Sequence, residues 1–195
     1  MSQKIKAITV YAAASSRISS IYFEAAAELG KLLAEHSITC INGGGIRGLM
    51  AAVTDAVLES GGIVCGVIPR FMYDRGWVHP AMQEVIIAPD MHSRKQTMAD
   101  KSDACIALPG GVGTLDELLE IITWKQLELY KKPIIILNTA GYYDHLLAML
   151  NKIDQDNFSH SSSEVWQVTD TPQEAIDFIL EQAQAEENLS LHNAI

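Results

Sequence analysis

The chain has 195 residues, 48% of them hydrophobic, enough for one α/β domain that buries a core without metal or disulfide staples. Its formal net charge of -10 argues against nucleic acid or an anionic membrane as a partner, because the overall field repels polyanions. No apolar run approaches the ~20 residues of a membrane span, and "MSQKIKAITVYAAASS" lacks the separate regions of a secretory signal, so the expected location is cytoplasmic.

In chain order, "AITVYAA", "ITCIN", "GIVCGVIP", "EVIIA", "ACIALP" and "PIIILN" are near-continuously apolar rather than alternating, as strands covered on both faces are. A weaker strand, "EVWQVT", follows. The stretches between carry a helical period near 20–36, 47–60, 91–101, 114–130 and 143–154, with a last helix near 172–186. Strand then helix, repeated, predicts an α/β fold: a Rossmann-like, doubly wound, mainly parallel sheet of six or seven strands with helices on both faces. A single nucleotide-binding domain is expected over 1–188, with a polar loop at 154–164 and a short tail, 189–195, that frays. Cys40, Cys65 and Cys105 each sit inside an apolar run without CxxC spacing, which reads as buried reduced thiols.

Ligands in such sheets bind at the carboxyl ends of strands, where this chain has three loops of small residues. These are "AAASS" at 12–16, which holds Ser15, "NGGGIRG" at 42–48, which holds Gly44 and Gly45, and "PGGVGT" at 109–114. In the last, glycine lets backbone amides turn toward a ligand, and the helix that follows adds free donors and the positive end of its dipole. A phosphate fits Gly110, Gly111, Val112, Gly113 and Thr114, with Thr114 as N-cap or hydroxyl donor. Gly43, Gly45 and Gly48 also satisfy G-x-G-x-x-G between a strand and a helix. No acid for a ribose follows some 20 residues on, and Arg70 could instead face a 2′-phosphate, so an NADP oxidoreductase stays open as a minor alternative.

Thr114 and Glu117 form T-x-x-E before an apolar-periodic helix, the capping-box pattern, which alone accounts for Glu117. A capping glutamate would nevertheless compete with an anion for the same donors, and Asp116 adds a like charge. Two such charges near 4 Å repel by about 1 kcal/mol in water and about 4 kcal/mol at an effective dielectric of 20, so a phosphate there needs cations. "MHSRK" at 91–95 supplies Arg94 and Lys95, which could equally be solvated helix charges, while His92 reads as a surface or core histidine. A carboxylate beside a phosphate cradle suits chemistry at a sugar, where glycosidic cleavage develops oxocarbenium character that Glu117 could stabilise while it positions water. Leu115, Leu118, Leu119 and Ile122 make one apolar stripe of this helix and Ile121, Trp124 and Tyr130 another, which favours a homodimer.

"PGGVGTLDE" matches P-G-G-x-G-T-x-x-E and "MHSRK" matches M-x-x-R-K; "GGGIRGLM", "KPIIILN" and "GYYD" extend the similarity over roughly 5–158. With these residues the chain resembles the LOG (Lonely Guy) family of cytokinin riboside 5′-monophosphate phosphoribohydrolases, long labelled possible lysine decarboxylases. The resemblance implies a homodimer that hydrolyses the N-glycosidic bond of an adenosine 5′-monophosphate, often N6-modified, to free base and ribose 5-phosphate, with no metal or organic cofactor. It implies Arg94 and Glu117 as the catalytic pair, Gly111, Val112, Gly113 and Thr114 on phosphate and ribose, and Lys95, Asp116 and Thr123 lining the site. Where the family reads C-G-S-S after the first strand, this chain has Ala12, Ala13, Ala14 and Ser15; Asn42 replaces a tyrosine, Ala51 a glycine, and Gly76 a glutamate of plant members. The segment 71–82, "FMYDRGWVHPAM", departs altogether, so the catalytic residues match better than the base-recognising ones. A noncatalytic nucleotide-binding protein is the main alternative. Lysine decarboxylase ranks lowest, since no lysine has the setting of a Schiff-base residue.

Overall fold

The structure is a computed structural model that describes residues 5–158 and 165–192. Seven parallel strands form one sheet in the order β4-β3-β2-β1-β5-β6-β7: β1 (Ala7–Tyr11), β2 (Thr39–Asn42), β3 (Val64–Pro69), β4 (Glu84–Ala88), β5 (Ala104–Ala107), β6 (Ile134–Leu137) and β7 (Gln167–Thr169). Each parallel pair requires a crossover, supplied here by α1 (Ser20–Glu35), α2 (Gly48–Glu59), α3 (Arg70–Tyr73), α4 (Met91–Lys101), α5 (Val112–Gln126) and α6 (Asp144–Gln155). The chain closes with α7 (Pro172–His192).

Alternation along β1 shows how the sheet is covered. Ile8 and Val10 enter the layer beneath α1, α2 and α7, while Ala7 and Tyr11 enter the layer beneath α4, α5 and α6. Thr9 is fully buried and donates its hydroxyl to the Met98 carbonyl of α4 at 2.9 Å, which satisfies the one polar side chain in the strand's interior. The three cysteines are buried and unbridged, and burial pushes the Cys40 and Cys105 thiols up to about 12. Among the described residues no helix is long and apolar enough to cross a membrane.

The chain runs outward from β1 to β4 and then returns to place β5 against the other side of β1. That reversal opens a crevice at the carboxyl ends of β1 and β5. The loops after these two strands meet there, with the Ala13 amide donating to the Pro109 carbonyl at 3.3 Å.

The sequence expectations hold for every strand run and differ at element ends. α5 starts at Val112 and stops at Gln126, where the predicted span was 114–130. The short α3 has no periodicity long enough to predict. α7 stays helical to His192, so residues 189–192 of the expected tail are helical, and 193–195 lie outside the described residues, as do 159–164 of the polar loop.

Candidate active site

α4 presents Arg94, Lys95, Met98 and Ala99 on its buried face, so two cations share the stripe that anchors the helix to the sheet. Asp90 caps this helix by accepting from the Ser93 amide at 2.7 Å, and that hydrogen bond holds its carboxyl below the usual range. Arg94 and Lys95 are each 7% exposed, which overturns the reading of both as solvated helix charges. His92 is an exposed surface residue.

Arg94 is fixed from two sides. Its Nε donates to the Val67 carbonyl within β3 at 3.0 Å, and Nη1 donates to Glu117 Oε1 at 2.6 Å. Its outer nitrogen lies against Gly43, where a Cβ would collide with Nη2, so the first glycine of "GGGIRG" serves this arginine. Lys95 Nζ bridges Asp116 Oδ2 and Glu120 Oε2, both at 3.0 Å. Burial draws Lys95 down, but the hydrogen bonds and charges of Asp116 and Glu120 outweigh it and hold the ammonium above its ordinary range. Burial raises Glu117, and although the Arg94 charge and hydrogen bond pull the other way, the carboxyl stays above its ordinary value.

The capping-box expectation fails here. Gly111 is the N-cap of α5, in extended backbone without a side-chain cap, and Thr114 is a buried residue of the first turn. Glu117 is left one turn in and reaches across to α4 rather than back to its own amides. The Thr114 side chain packs where a Cβ on Gly110 would stand, whereas a Cβ on Gly111 or Gly113 would meet nothing. Two tyrosines of "GYYD" pin the loop from outside: Tyr142 donates to the Gly110 carbonyl at 2.6 Å and Tyr143 to the Leu108 carbonyl at 2.7 Å.

These elements enclose a cavity of about 690 Å³. Of the predicted residues, Ser15, Gly45, Arg94, Gly111, Gly113, Thr114, Asp116 and Glu117 line it. Gly44, Gly110, Lys95 and Thr123 do not, and Val112, 83% exposed, turns its side chain to solvent. Gly44 has φ of +75° and its amide donates to Asn42 Oδ1 at 2.9 Å, while Asn42 Nδ2 donates to Thr54 Oγ1 at 2.9 Å. Asn42 and Gly44 thus set the loop's shape. Thr123 lies in a second cavity, of about 420 Å³, among Leu119, Ile122, Gln126, Leu127, Phe158 and Trp166.

Sequence reasoning missed the far wall of the main cavity, formed by Met50, Ile68, Met72, Trp77 and Met91, together with Arg47 at the rim. No local spacing links these side chains, which come from α2, β3, α3, the segment after α3 and α4. Arg47 was visible inside "GGGIRG", in a stretch weighed only for its glycines.

The dinucleotide reading does not survive the geometry of that loop. The amides of Leu49 and Met50, at the start of α2, already donate to the Ala13 carbonyl at 2.8 and 3.3 Å. Arg70 pairs with Asp74 at 3.7 Å on the surface and lies outside the cavity.

Residues 50–179 match the family model described as possible lysine decarboxylase. Cytokinin riboside 5′-monophosphate phosphoribohydrolase LOG5 of Arabidopsis thaliana is 44% identical over 155 residues, covering 80% of this chain and 68% of that protein. LOG3 of the same plant, under the same enzyme name, is 40% identical over 188 residues, covering 96% and 87%. Among solved structures, the molybdenum cofactor carrier protein of Chlamydomonas reinhardtii superposes with a TM-score of 0.70 over 93% of this chain and 99% of its own. The molybdenum cofactor binding protein of Rippkaea orientalis gives 0.69 over 91% and 97%. Both are 22% identical to this chain, a likeness of fold alone.

Proposed function

The chain belongs to the LOG family, the group covered by the possible lysine decarboxylase model, and on that footing we propose that it hydrolyses the N-glycosidic bond of a nucleoside 5′-monophosphate. The free amides of the first turn of α5, at Val112, Gly113 and Thr114, seat the 5′-phosphate, helped by the positive end of the helix dipole. One turn on, Glu117 stands beside the ribose. As the bond from the anomeric carbon to the base nitrogen breaks, its carboxylate stabilises the oxocarbenium character and holds the attacking water. The water oxygen joins the anomeric carbon, a proton passes to the departing base, and the products are free base and ribose 5-phosphate. Arg94, held by Val67 and Glu117, orients that carboxylate and favours its ionised form against the pull of burial. Thr114, Asp116 and Ser15 complete the polar end, and the apolar wall of Met50, Met72, Trp77 and Met91 suits an adenine with an apolar N6 substituent.

One observation carries this reading: a buried arginine–glutamate pair forms the wall of a cavity that also opens on a helix N-terminus with two glycines whose Cβ positions are empty. Incubating the protein with AMP and with N6-isopentenyl-AMP and following free base by chromatography tests it. Base release should occur and should collapse in Glu117→Gln; equal rates in the two proteins remove the assignment. Lysine decarboxylation through Lys95 is disfavoured by chemistry, because a Schiff base needs a neutral amine and two carboxylates hold that lysine cationic.

We further propose a homodimer in the cytoplasm. Leu119 on α5, Leu127 just after it and Phe158 beyond α6 are exposed and line the second cavity, an apolar patch that a second copy would cover. Sedimentation velocity tests this, with Leu127→Asp expected to shift the protein to monomer.

A further inference from the structure

The charges around the main cavity do not balance. Arg94 is bonded to Glu117, and Lys95 to both Asp116 and Glu120, so two cations already face three carboxylates. A phosphate ester at neutral pH adds roughly -1.5 to -2 to this excess, against about +0.5 from the α5 N-terminus. The neighbouring α2 N-terminus offers less, because its Leu49 and Met50 amides already donate to the Ala13 carbonyl.

One cation on the cavity wall is uncommitted. Arg47 lines the cavity, is exposed, and makes no ion pair among the described residues. Its backbone is extended, φ -143° and ψ 165°, at the N-cap of α2, with no side-chain capping bond to hold it down. The next residue fixes where it stands. Gly48 has φ of +65° and sits so close to the Ala13 carbonyl and Ser15 that a Cβ would clash, which clamps the Arg47 loop onto the loop after β1. The order β2-β1-β5 then puts Arg47 two strand spacings, about 10 Å, from the loop after β5. An extended arginine and a phosphate between them span that gap.

We propose that Arg47 is the counter-charge of the substrate's 5′-phosphate, closing on it from the β2 side while the α5 amides hold it from the β5 side; this rests on the phosphoribohydrolase reading of the cavity. Arg47 is a binding residue, remote from the anomeric carbon that Glu117 serves. Its guanidinium fork can take two phosphate oxygens, and its exposure makes the attraction weaken as salt is raised. Loss of Arg47 therefore raises KM and leaves kcat near that of the parent.

Calorimetric titration of the parent protein, Arg47→Gln and Arg47→Lys with ribose 5-phosphate, and separately with adenine, at two ionic strengths, tests this. Arg47→Gln should weaken ribose 5-phosphate about ten-fold or more, flatten its salt dependence and leave adenine unchanged, with Arg47→Lys recovering part. Ribose 5-phosphate binding within about two-fold of the parent overturns the proposal, as does a loss confined to adenine or a parent that binds no ribose 5-phosphate. A parent that binds ribose 5-phosphate through Arg47 yet releases no base from any nucleotide removes the enzymatic reading and leaves Arg47 as the anion's partner.

Discussion

Arg94 and Glu117 stand 23 residues apart in sequence and 2.6 Å apart in space, their side chains 9% and 10% exposed. Removing one partner from such a pair strands the other charge in a poorly solvated place, at a cost of about 3–5 kcal/mol. Arg94→Met should therefore lower stability by that order in urea unfolding. The double variant Arg94→Met/Glu117→Gln should recover much of it, because no buried charge is then left alone. A double variant no more stable than Arg94→Met would show that the arginine matters through packing and its bond to Val67 instead.

The raised Glu117 pKa gives activity and stability opposite pH dependences. In the proposed reaction the carboxylate is the working form, so the rate should fall as pH drops through the raised value. For stability, a native pKa above the unfolded one favours the protonated native state. That contribution is complete below the unfolded value, near 4.3, and is lost as pH rises through the native value. Glu117→Gln cannot titrate, so it should gain stability relative to the parent as pH is raised from about 4 to 7, while base release falls by about 10²–10⁴-fold. Urea midpoints of both proteins across that range check the sign; a parallel pair of curves counts against it.

The strands were legible because burial on both faces leaves an unbroken apolar run, as in Ile134–Leu137, where every residue is buried. α4 was legible to the residue, since Asp90 is a true N-cap and Lys101 is a cation in the last turn, where it suits the helix dipole. α5 was misplaced at its start because Thr114 and Glu117 carry a real local pattern that a distant arginine overrides. Local chemistry offered Glu117 one partner and tertiary structure another, and the buried guanidinium wins because it satisfies two charges at once. Local motifs singled out Gly111, Gly113, Thr114, Arg94 and Glu117, which line one cavity. Lys95 was found as well, but its partners Asp116 and Glu120 make it a support for Asp116 rather than part of the cavity wall. The far wall had no comparable signal, because Met50, Met72, Trp77 and Met91 meet only when β2, β3 and β4 are side by side.

The glycines separate structural need from ligand need. Gly43→Ala drives a methyl into Arg94 Nη2, so the guanidinium must shift, and base release should fall by about 10²-fold as the Glu117 pair is displaced. Gly113 lies in the first turn of α5 and a Cβ there meets nothing, so Gly113→Ala should stabilise the protein by about 0.8–1 kcal/mol through helix propensity. The same methyl intrudes on the space left for phosphate. A higher Tm together with a higher KM is the expected signature, measured by calorimetry and steady-state kinetics; an unchanged KM would place the phosphate elsewhere.

Trp77 is the residue most suited to grip the base. It lines the cavity at 43% exposure, with Gly76 at φ of +69° turning the chain beside it and the Arg75 guanidinium 5.2 Å from its ring centroid. The segment that carries it is tied down by His79, whose Nε2 lies 3.1 Å from Asp55 Oδ1 and whose amide donates to the Gly44 carbonyl at 2.9 Å. The ring therefore lines the cavity from a tethered segment. Stacking of a base on an aromatic ring contributes about 1–3 kcal/mol, so Trp77→Ala should raise KM for N6-isopentenyl-AMP by roughly ten-fold. Ribose 5-phosphate, which has no base, should bind Trp77→Ala as it binds the parent. His79→Ala, which leaves the ring in place and loosens the loop, should raise the same KM by a smaller factor. Were ribose 5-phosphate to weaken along with the nucleotide, the tryptophan would be shaping the whole cavity, and the base would have to be sought on the side of Met50 and Ile46.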